Sequence, residues 1–429
     1  MKQQLTDFLK KYHMHYSEID LDKCTEDFAA QMQSGNDGNV KSLLMIPTYV
    51  GIDGEVPRNK PVIVLDAGGT NFRAATVMFD DSGAPVISNF SKQPMPGTKG
   101  EIGRDEFFDT IAGFIAPFDS ISDTVGFCFS FPTDILPNCD GRLINFNKEV
   151  KVRDMAGQLI GEGINKALAA RGCGKKHFVI INDTVATMLG GIAAYQDRDF
   201  DSYIGFILGT GTNTCYIEQC SRIGKLPDIN SGTMAINMET GSFDGFVQGD
   251  IDKAFDATTA NCGDHVYEKL VSGAYQGSVI CLTSKKAAED GLFSPDTAAR
   301  VMAAEDFTMR QIDQFCMEPD GDNFIASLAA NSDDRDMLYG IIDASFERAA
   351  RMVCVNIGAI MLHTGTGKDK VKPVCVSAEG TTFYKSVLFR PKLDKYVKEF
   401  INGKLGLYCE FVKAEDATLI GSAVAGLLN

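Results

Sequence analysis

Short apolar runs that end in glycine- and threonine-rich turns recur along the chain, and they predict buried strands. Residues 62–65, Val-Ile-Val-Leu, lead into Asp66-Ala-Gly-Gly-Thr-Asn71, and a second apolar stretch follows at 73–79. The segment 203–217 has the same plan, with Gly209-Thr-Gly-Thr212 as its turn. Two strand–turn–strand units predict a duplicated architecture in which each half contributes one turn.

Helical spacing of apolar residues alternates with these strands. It predicts an amphipathic helix over 1–33, a helix over 105–118 and a core helix over 343–362. Residues 178–181 form an apolar strand that ends at Asn182 and Asp183, and a helix is predicted to begin immediately afterwards. Strands and helices that alternate in this way indicate an α/β protein.

The two glycine-rich turns are candidate phosphate-binding loops. Glycine permits a positive φ and a close approach of the backbone, and consecutive amides in such a turn can point at one anion. Asp66, at the end of the first strand, could hold Mg²⁺ directly or through water, because Mg²⁺ prefers oxygen ligands. An ordinary tight hairpin is the alternative, and a single turn does not decide between the two.

Two polar residues at strand ends are candidates for substrate chemistry. Asp183 could be a general base that accepts a proton from an attacking hydroxyl, or a plain helix N-cap. Ser130, at the end of an apolar run, could bond a substrate hydroxyl or only cap the chain. Spacing alone leaves both choices open.

Composition and charge narrow the class of protein. Hydrophobic residues make up 44% and charged residues 23% of the 429 residues, which is typical of a globular chain with two or three domains. The net charge of −16 argues against nucleic acid or an anionic membrane as partner. The 12 cysteines are scattered without any Cys-x-x-Cys pair, as in reduced proteins, and no apolar run approaches a membrane span. These features, together with an N-terminus that lacks the apolar core of a signal peptide, predict a cytoplasmic protein.

Several motifs, taken in order, resemble the hexokinase family within the actin-like ATPase superfamily. The first is Leu65-Asp-Ala-Gly-Gly-Thr-Asn-Phe-Arg73, and the others are Ser130-Phe-Pro132, Asn182-Asp-Thr184, Gly209-Thr-Gly-Thr-Asn213 and Ile236-Asn-Met-Glu239. The resemblance extends from about residue 40 to the C-terminus and is thin between roughly 285 and 335.

The resemblance implies a two-lobed, ribonuclease H-like α/β fold with duplicated mixed β-sheets flanked by helices. The small domain would comprise 58–182 and a C-terminal helix at about 418–429. The large domain would comprise 1–57 and 183–417. A cleft between the two domains would hold the substrates.

The implied reaction transfers the γ-phosphoryl group of ATP, with Mg²⁺, to the 6-hydroxyl of a hexose. Asp183 would be the general base, with Arg73 and Lys148 as cationic catalytic residues. The implied sugar contacts are Ser130, Phe131, Asn147, Lys148, Asn182, Asp183, Asn213 and Glu239. The implied contacts to ATP and hydrated Mg²⁺ are Asp66, Gly68, Gly69, Thr70, Asn71, Arg73, Gly209, Thr210, Gly211, Thr212, Gly380 and Thr381.

Two positions depart from the family pattern on the sugar side. Asn147 stands where the family has a threonine, and Ser278 stands where a sugar-binding glutamate is expected. Glucose is therefore the default substrate, and mannose, fructose or an amino sugar remains open. A non-catalytic sugar-sensing protein on the same fold is the alternative function, and oligomeric state is not predicted.

Overall fold

Two mixed sheets organise the fold, which a computed structural model describes over residues 2–52, 54–146 and 150–429. The strands are β1 Ile46–Pro47, β2 Val62–Ala67, β3 Asn71–Phe79, β4 Pro85–Pro94, β5 Ile102–Gly103, β6 Thr124–Phe129, β7 Thr133–Ile135, β8 Gly141–Leu143, β9 Val152–Arg153, β10 His177–Ile181, β11 Ser202–Leu208, β12 Thr212–Gln219, β13 Thr233–Asn237, β14 Val374–Glu379 and β15 Cys409–Val412.

Helices cover both sheets and form most of the rest of the molecule. They are α1 Lys2–Lys11, α2 Leu21–Asn36, α3 Arg104–Ile115, α4 Ile160–Ala170, α5 Asp183–Ala194, α6 Asp250–Asp256, α7 Val266–Val271, α8 Gly273–Glu289, α9 Pro295–Ala303, α10 Met309–Met317, α11 Phe324–Leu328, α12 Ser332–Thr364, α13 Thr381–Lys385, α14 Phe389–Tyr396 and α15 Ala417–Leu428. Among the described residues, no helix combines the length and apolar character needed to cross a membrane.

The two sheets share one plan. The smaller has the order β10-β6-β2-β3-β4, in which β2, β3 and β4 are antiparallel neighbours and β6 and β10 run parallel to β2. The larger has the order β1-β13-β12-β11-β14-β15, in which β11, β12 and β13 are antiparallel neighbours and β14 and β15 run parallel to β11. This repetition confirms the predicted duplicated mixed sheets.

Helices α5 and α15 pack together between the sheets, and small residues allow their close approach. A Cβ on Gly421 of α15 would lie 1.9 Å from the Ala186 carbonyl oxygen of α5, so only glycine fits there. The apolar cluster around these helices includes Val62 and Val64 of the smaller sheet and Cys215 of the larger one. The C-terminal helix is thus part of the core that joins the two halves.

The smaller sheet falls within residues 62–181, and α15 packs on β2 and β6 of that sheet. The exact division into domains stays a prediction. The single helix predicted over 1–33 is wrong, because α1 and α2 are separate. His13 has a left-handed φ of 56°, and Asp20 Oδ1 accepts the Asp22 and Lys23 amides and starts α2 anew.

Candidate active site

A cavity of about 590 Å³ lies at the carboxyl ends of strands from both sheets, where α/β folds generally bind ligands. Its wall consists of the residues that follow β6 and β10, the β11–β12 turn, and residues between the end of β13 and the first turn of α8. The lining residues are Ser130, Phe131, Pro132, Asn182, Asp183, Ile207, Thr210, Gly211, Thr212, Asn213, Glu239, Gly241, Asn261, His265, Glu268, Ala274 and Tyr275. Six of the predicted sugar contacts therefore line the same cavity as residues of the second glycine turn.

Asn182 and Asp183, at the start of α5, have different structural roles. Asn182 Oδ1 accepts the Thr184 amide at 2.9 Å and caps the helix. Asp183 is the first helical residue, and its carboxylate faces the cavity and accepts the Thr184 hydroxyl at 3.4 Å. The capping function that could have explained Asp183 thus belongs to Asn182.

A chain of side-chain amides orients the acidic wall of the cavity. Asn213 Nδ2 donates to Asn182 Oδ1 at 3.3 Å and to Asn237 Oδ1 at 2.8 Å. Asn237 Nδ2 in turn donates to Glu239 Oε1 at 2.8 Å. The amides of Asn213 and Asn237 have a fixed orientation, because the oxygen and the nitrogen of each have different partners.

Glu239 sits in an unusual backbone conformation at the end of this chain. Its φ of 56° and ψ of 52° are left-handed, which is uncommon for a residue other than glycine and is typical of functional sites. Burial raises the pKa of its carboxyl group, the hydrogen bond from Asn237 opposes the rise, and the charge of Asp183 adds to it. The cavity thus brings the carboxylates of Asp183, Glu239 and Glu268 together, with His265 in the same lining.

The β11–β12 turn is held from outside by two helix N-termini. The Gly209 carbonyl accepts the Gly273 amide of α8 at 2.8 Å and the Thr382 hydroxyl of α13 at 2.9 Å. Gly380 has a φ of 115°, and a Cβ there would lie 2.2 Å from the Leu208 carbonyl oxygen. The predicted nucleotide residues Gly380 and Thr381 therefore lie directly against this turn.

The β2–β3 turn is a tight hairpin beside the cavity. The Gly68 amide donates to the Asn71 carbonyl at 3.1 Å, and the Met95 amide donates to the Thr70 carbonyl at 3.0 Å. Gly68 and Gly69 are absent from the positive-φ glycines of the described residues, so the turn does not use the positive φ that glycine permits. Four residues complete the turn without it.

Asp66 is buried under the β2–β3 turn, where it forms a cluster with the partly buried Arg73 and Thr418. Arg73 Nη2 donates to Asp66 Oδ2 and, at 3.0 Å, to Thr418 Oγ1, while the Thr418 hydroxyl donates to Asp66 Oδ2 at 3.0 Å. Burial raises the pKa of Asp66, Arg73 opposes the rise, and the charge of Asp183 adds to it. Asp66 and Asp183 lie at the same edge of the smaller sheet, because Asp66 of β2 and Ile181 of β10 both pair with Cys128 of β6.

The carboxylate of Asp66 suits a hydrated Mg²⁺ ion better than a metal ion held by protein ligands alone. Across the described residues, no group of three or more His, Cys, Asp or Glu side chains is arranged to hold a metal. No hydrogen bond from a described residue reaches Asp66 Oδ1, so one carboxylate oxygen is left for a bound water. Mg²⁺ usually takes one or two carboxylates, waters and substrate phosphates, which this arrangement provides.

Comparison with known proteins identifies the family. Two family models, both described as hexokinase, match residues 4–193 and 203–428. The chain belongs to the hexokinase family. Hexokinase-2 of Oryza sativa is 28% identical over 94% of this chain and 87% of its own length. The Hexokinase-like 1 protein of Arabidopsis thaliana is 30% identical over 85% of this chain and 79% of its own length.

The fold agrees with this membership. A structure of hexokinase from Schistosoma mansoni complexed with glucose superposes with a TM-score of 0.78 and 21% identity, and covers 99% of both chains. The predicted actin-like, two-lobed fold of the hexokinase family is thereby confirmed. Family membership supports phosphorylation of a hexose, which the acidic and amide-lined cavity suits.

Ser278 does not take the place that the family pattern suggested. It lies on α8, its hydroxyl donates to Asp306, and it is not among the residues that line the cavity. Glu268 of α7 lines the wall instead, and its Oε2 accepts the Thr212 amide at 3.0 Å. The Glu268 carboxylate thus lines the cavity and Ser278 does not, and the assignment of Ser278 as a sugar contact stays a prediction.

Of the remaining predicted sugar contacts, the structure describes Phe131 but not Asn147 or Lys148. The Phe131 ring is buried and packs against Phe129 and Phe146, with centroids at 5.0 Å and 4.9 Å, so its backbone and edge form the wall. The predictions for Asn147 and Lys148 lie outside the described residues. Asn237 and Thr418 were not predicted as site residues. Asn237 lies within the Ile236-Asn-Met-Glu239 motif, whereas the partners of Thr418, Arg73 and Asp66, are distant along the chain.

Proposed function

We propose that the chain transfers the γ-phosphoryl group of ATP to the 6-hydroxyl of a hexose, with glucose as the preferred substrate. The observation that carries the proposal is a single cavity with Asp183 on one side and the β11–β12 turn on the other. Phosphoryl transfer needs positioning and charge neutralisation more than covalent help, and this arrangement supplies positions for both reactants.

The sugar would lie against the amide and carboxylate wall. Glu239, Glu268 and Asn213 would accept and donate hydrogen bonds to its hydroxyls, and Ser130 would bond from the smaller sheet. Buried polar groups of this kind discriminate strongly between hydroxyl patterns, because a missing hydroxyl leaves them unpaired. The acidic wall supports a neutral sugar as ligand, since the carboxylates of Glu239 and Glu268 accept hydrogen bonds from hydroxyls and would repel an added negative charge.

Asp183 would accept the proton of the attacking hydroxyl, which increases its nucleophilicity. Its position at the first turn of α5 keeps the carboxylate fixed by the helix, while Asn182 supplies the cap. Rigid placement of the base beside the hydroxyl contributes to the rate through orientation.

The nucleotide phosphates would bind between the two glycine turns. Gly68, Gly69, Thr70 and Asn71 would approach from the smaller sheet, and Gly209, Thr210, Gly211 and Thr212 from the larger one. Asp66 would hold hydrated Mg²⁺, which neutralises phosphate charge when bound, and Arg73 would offset negative charge developing near it. Gly380 and Thr381 would border the ribose.

A panel of hexoses tests the proposed function. The wild type is incubated with Mg-ATP and glucose, mannose, fructose or glucosamine, and ADP release is followed by a coupled assay. We expect turnover with at least one hexose and the highest kcat/KM with glucose. Glucose binding without turnover of any sugar would instead favour the non-catalytic sensor.

Glu239→Gln is expected to stabilise the ligand-free protein and weaken sugar binding. Because burial raises the pKa of Glu239, its ionised form destabilises the fold, and glutamine keeps the acceptor for Asn237 without that charge. The gain in Tm should be present at neutral pH and vanish below the ordinary glutamate pKa of about 4.3, where both forms are neutral. Loss of charge-assisted hydrogen bonds should raise the KM for glucose about 10–100-fold.

Thermal melts of both proteins at pH 4 and pH 7.5, with glucose kinetics at pH 7.5, check this prediction. The prediction would be contradicted if Glu239→Gln and the wild type had the same Tm at pH 7.5 as well as at pH 4, or if the KM for glucose were unchanged.

A further inference from the structure

An asparagine is buried within the apolar middle of α12. Asn356 is 0% exposed, and its neighbours Val353 and Ile357 belong to the hydrophobic core. Asparagine is a poor helix former, and a buried amide costs free energy unless it is hydrogen-bonded. The partners of this amide therefore indicate what it does.

The Asn356 amide joins two segments that belong to the wall of the cavity. Its Nδ2 donates to Thr214 Oγ1 of β12 at 2.7 Å. The hydroxyl oxygens of Thr214 and Thr240 lie 3.2 Å apart and share a hydrogen bond. Thr240 directly follows Glu239, so the contact connects α12, β12 and the strained turn that carries this carboxylate.

The two threonines in turn fix the amide of Asn213. Asn213 Oδ1 accepts the Thr214 amide at 2.7 Å and the Thr240 amide at 3.2 Å. With its oxygen held in this way, the Asn213 nitrogen must face Asn182 and Asn237. A shift of either threonine would therefore rotate or displace a cavity side chain.

The other end of the Asn356 amide faces α7. Asn356 Oδ1 and the Tyr267 hydroxyl are both buried, and neither has a well-formed hydrogen bond to a described residue. Burial raises the pKa of Tyr267, and the Asn356 side chain opposes the rise, so the two groups are neighbours. Tyr267 immediately precedes Glu268, a wall carboxylate whose side chain lies against Gly241 in the turn that follows Glu239.

We propose that Asn356 is a positioning residue that sets the relative placement of Asn213, Glu239 and Glu268, and thereby the affinity for the sugar. It lies behind the wall and does not touch the ligand. The inference rests on the proposed sugar site and deepens it, because it names the core contact that holds three wall segments in register.

Asn356→Leu tests this role, since leucine has a similar volume and no hydrogen-bonding group. We expect its Kd for glucose, measured by isothermal titration calorimetry, to rise about 5–50-fold, because small displacements of hydrogen-bonding groups in a site have large effects. The KM for ATP should change by a smaller factor than the glucose Kd, since the β2–β3 turn and α13 are not joined to this amide and only the β11–β12 turn is linked to it, through Glu268.

Asn36→Leu is the matched control. Asn36 is also a 0% exposed asparagine in the same part of the fold, and its amide donates to the Tyr216 hydroxyl and to Glu218 at the far end of β12. We expect a comparable loss of Tm in this variant and a glucose Kd within about 2-fold of the wild type. Equal weakening in both variants would overturn the proposal, as would unchanged glucose binding in Asn356→Leu.

Thr214→Val provides the same test if Asn356→Leu does not fold. Valine matches the shape of threonine and removes only the bridging hydroxyl, so the glucose Kd should rise by a similar factor. Wild-type binding in Thr214→Val would overturn the proposal. Because binding is measured without turnover, absence of phosphoryl transfer does not affect this result, and a wild type that binds no hexose would overturn both proposals.

Discussion

Replacing Asp183 with alanine is expected to lower kcat for glucose phosphorylation by about 10²–10⁴-fold, the usual effect of removing a general base. The protein should remain folded, because Asn182 caps α5 and the Asp183 carboxylate has only the Thr184 hydroxyl as a partner among the described side chains. The glucose Kd should change less than 10-fold, since Glu239, Glu268 and the amide chain still hold the sugar.

Steady-state kinetics, calorimetric glucose binding and a thermal melt of Asp183→Ala check this prediction together. Asp183→Asn is the matched variant, because it preserves shape and hydrogen bonding but is not a base. Both variants should lose kcat to a similar extent. If either variant kept the wild-type kcat and an unchanged Tm, Asp183 would not be the general base.

Replacing Glu268 with alanine is expected to lower kcat/KM for glucose by about 10²–10⁴-fold. The carboxylate has two tasks, because its Oε2 accepts the Thr212 amide of the β11–β12 turn and it lines the sugar wall. Hydrogen bonds to charged groups contribute about 1.5–3 kcal/mol each, so the loss of two of them gives an effect of this size. A Cβ on Gly211 would lie 2.5 Å from Glu268 Oε2, so the turn and the carboxylate are in close contact.

Ser278→Ala is the control for Glu268→Ala. Ser278 bonds only Asp306 among the described side chains, in a half-exposed position on α8, and its removal should change kcat/KM less than about 3-fold. A large effect of Ser278→Ala combined with a small effect of Glu268→Ala would return the sugar contact to Ser278. Kinetics with glucose and with mannose would show which position discriminates between hexoses.

The sequence was sufficient for elements whose pattern is local. The apolar runs ending at Asp66, Asn182 and Gly209 predicted strands followed by turns or a helix, and each is found where expected. The order of motifs predicted a duplicated mixed sheet, and the repetition of antiparallel and parallel neighbours bears this out. Local signals of this kind survive folding because a buried strand needs apolar residues regardless of its partners.

Contacts between distant segments could not be predicted from local patterns. Thr418 bonds Arg73 across 345 residues of sequence, so no local pattern could predict this contact. Glu268 was missed because a carboxylate in a short helix is usually solvated, although its position four residues before the Ser272-Gly-Ala-Tyr275 motif could have drawn attention to it. Asn356 was not predicted, because it lies within α12, where the spacing of apolar residues predicted only a helix of the hydrophobic core.

The most direct test of the account is the identity of the phosphorylated product. The wild type is incubated with Mg-ATP and either glucose or 6-deoxyglucose, and the phosphorylated carbon is assigned by phosphorus NMR. We predict that glucose is phosphorylated on its 6-hydroxyl and that 6-deoxyglucose binds competitively without being phosphorylated. Phosphate on another carbon, or ATP hydrolysis without any sugar phosphate, would contradict the placement of the hexose beside Asp183.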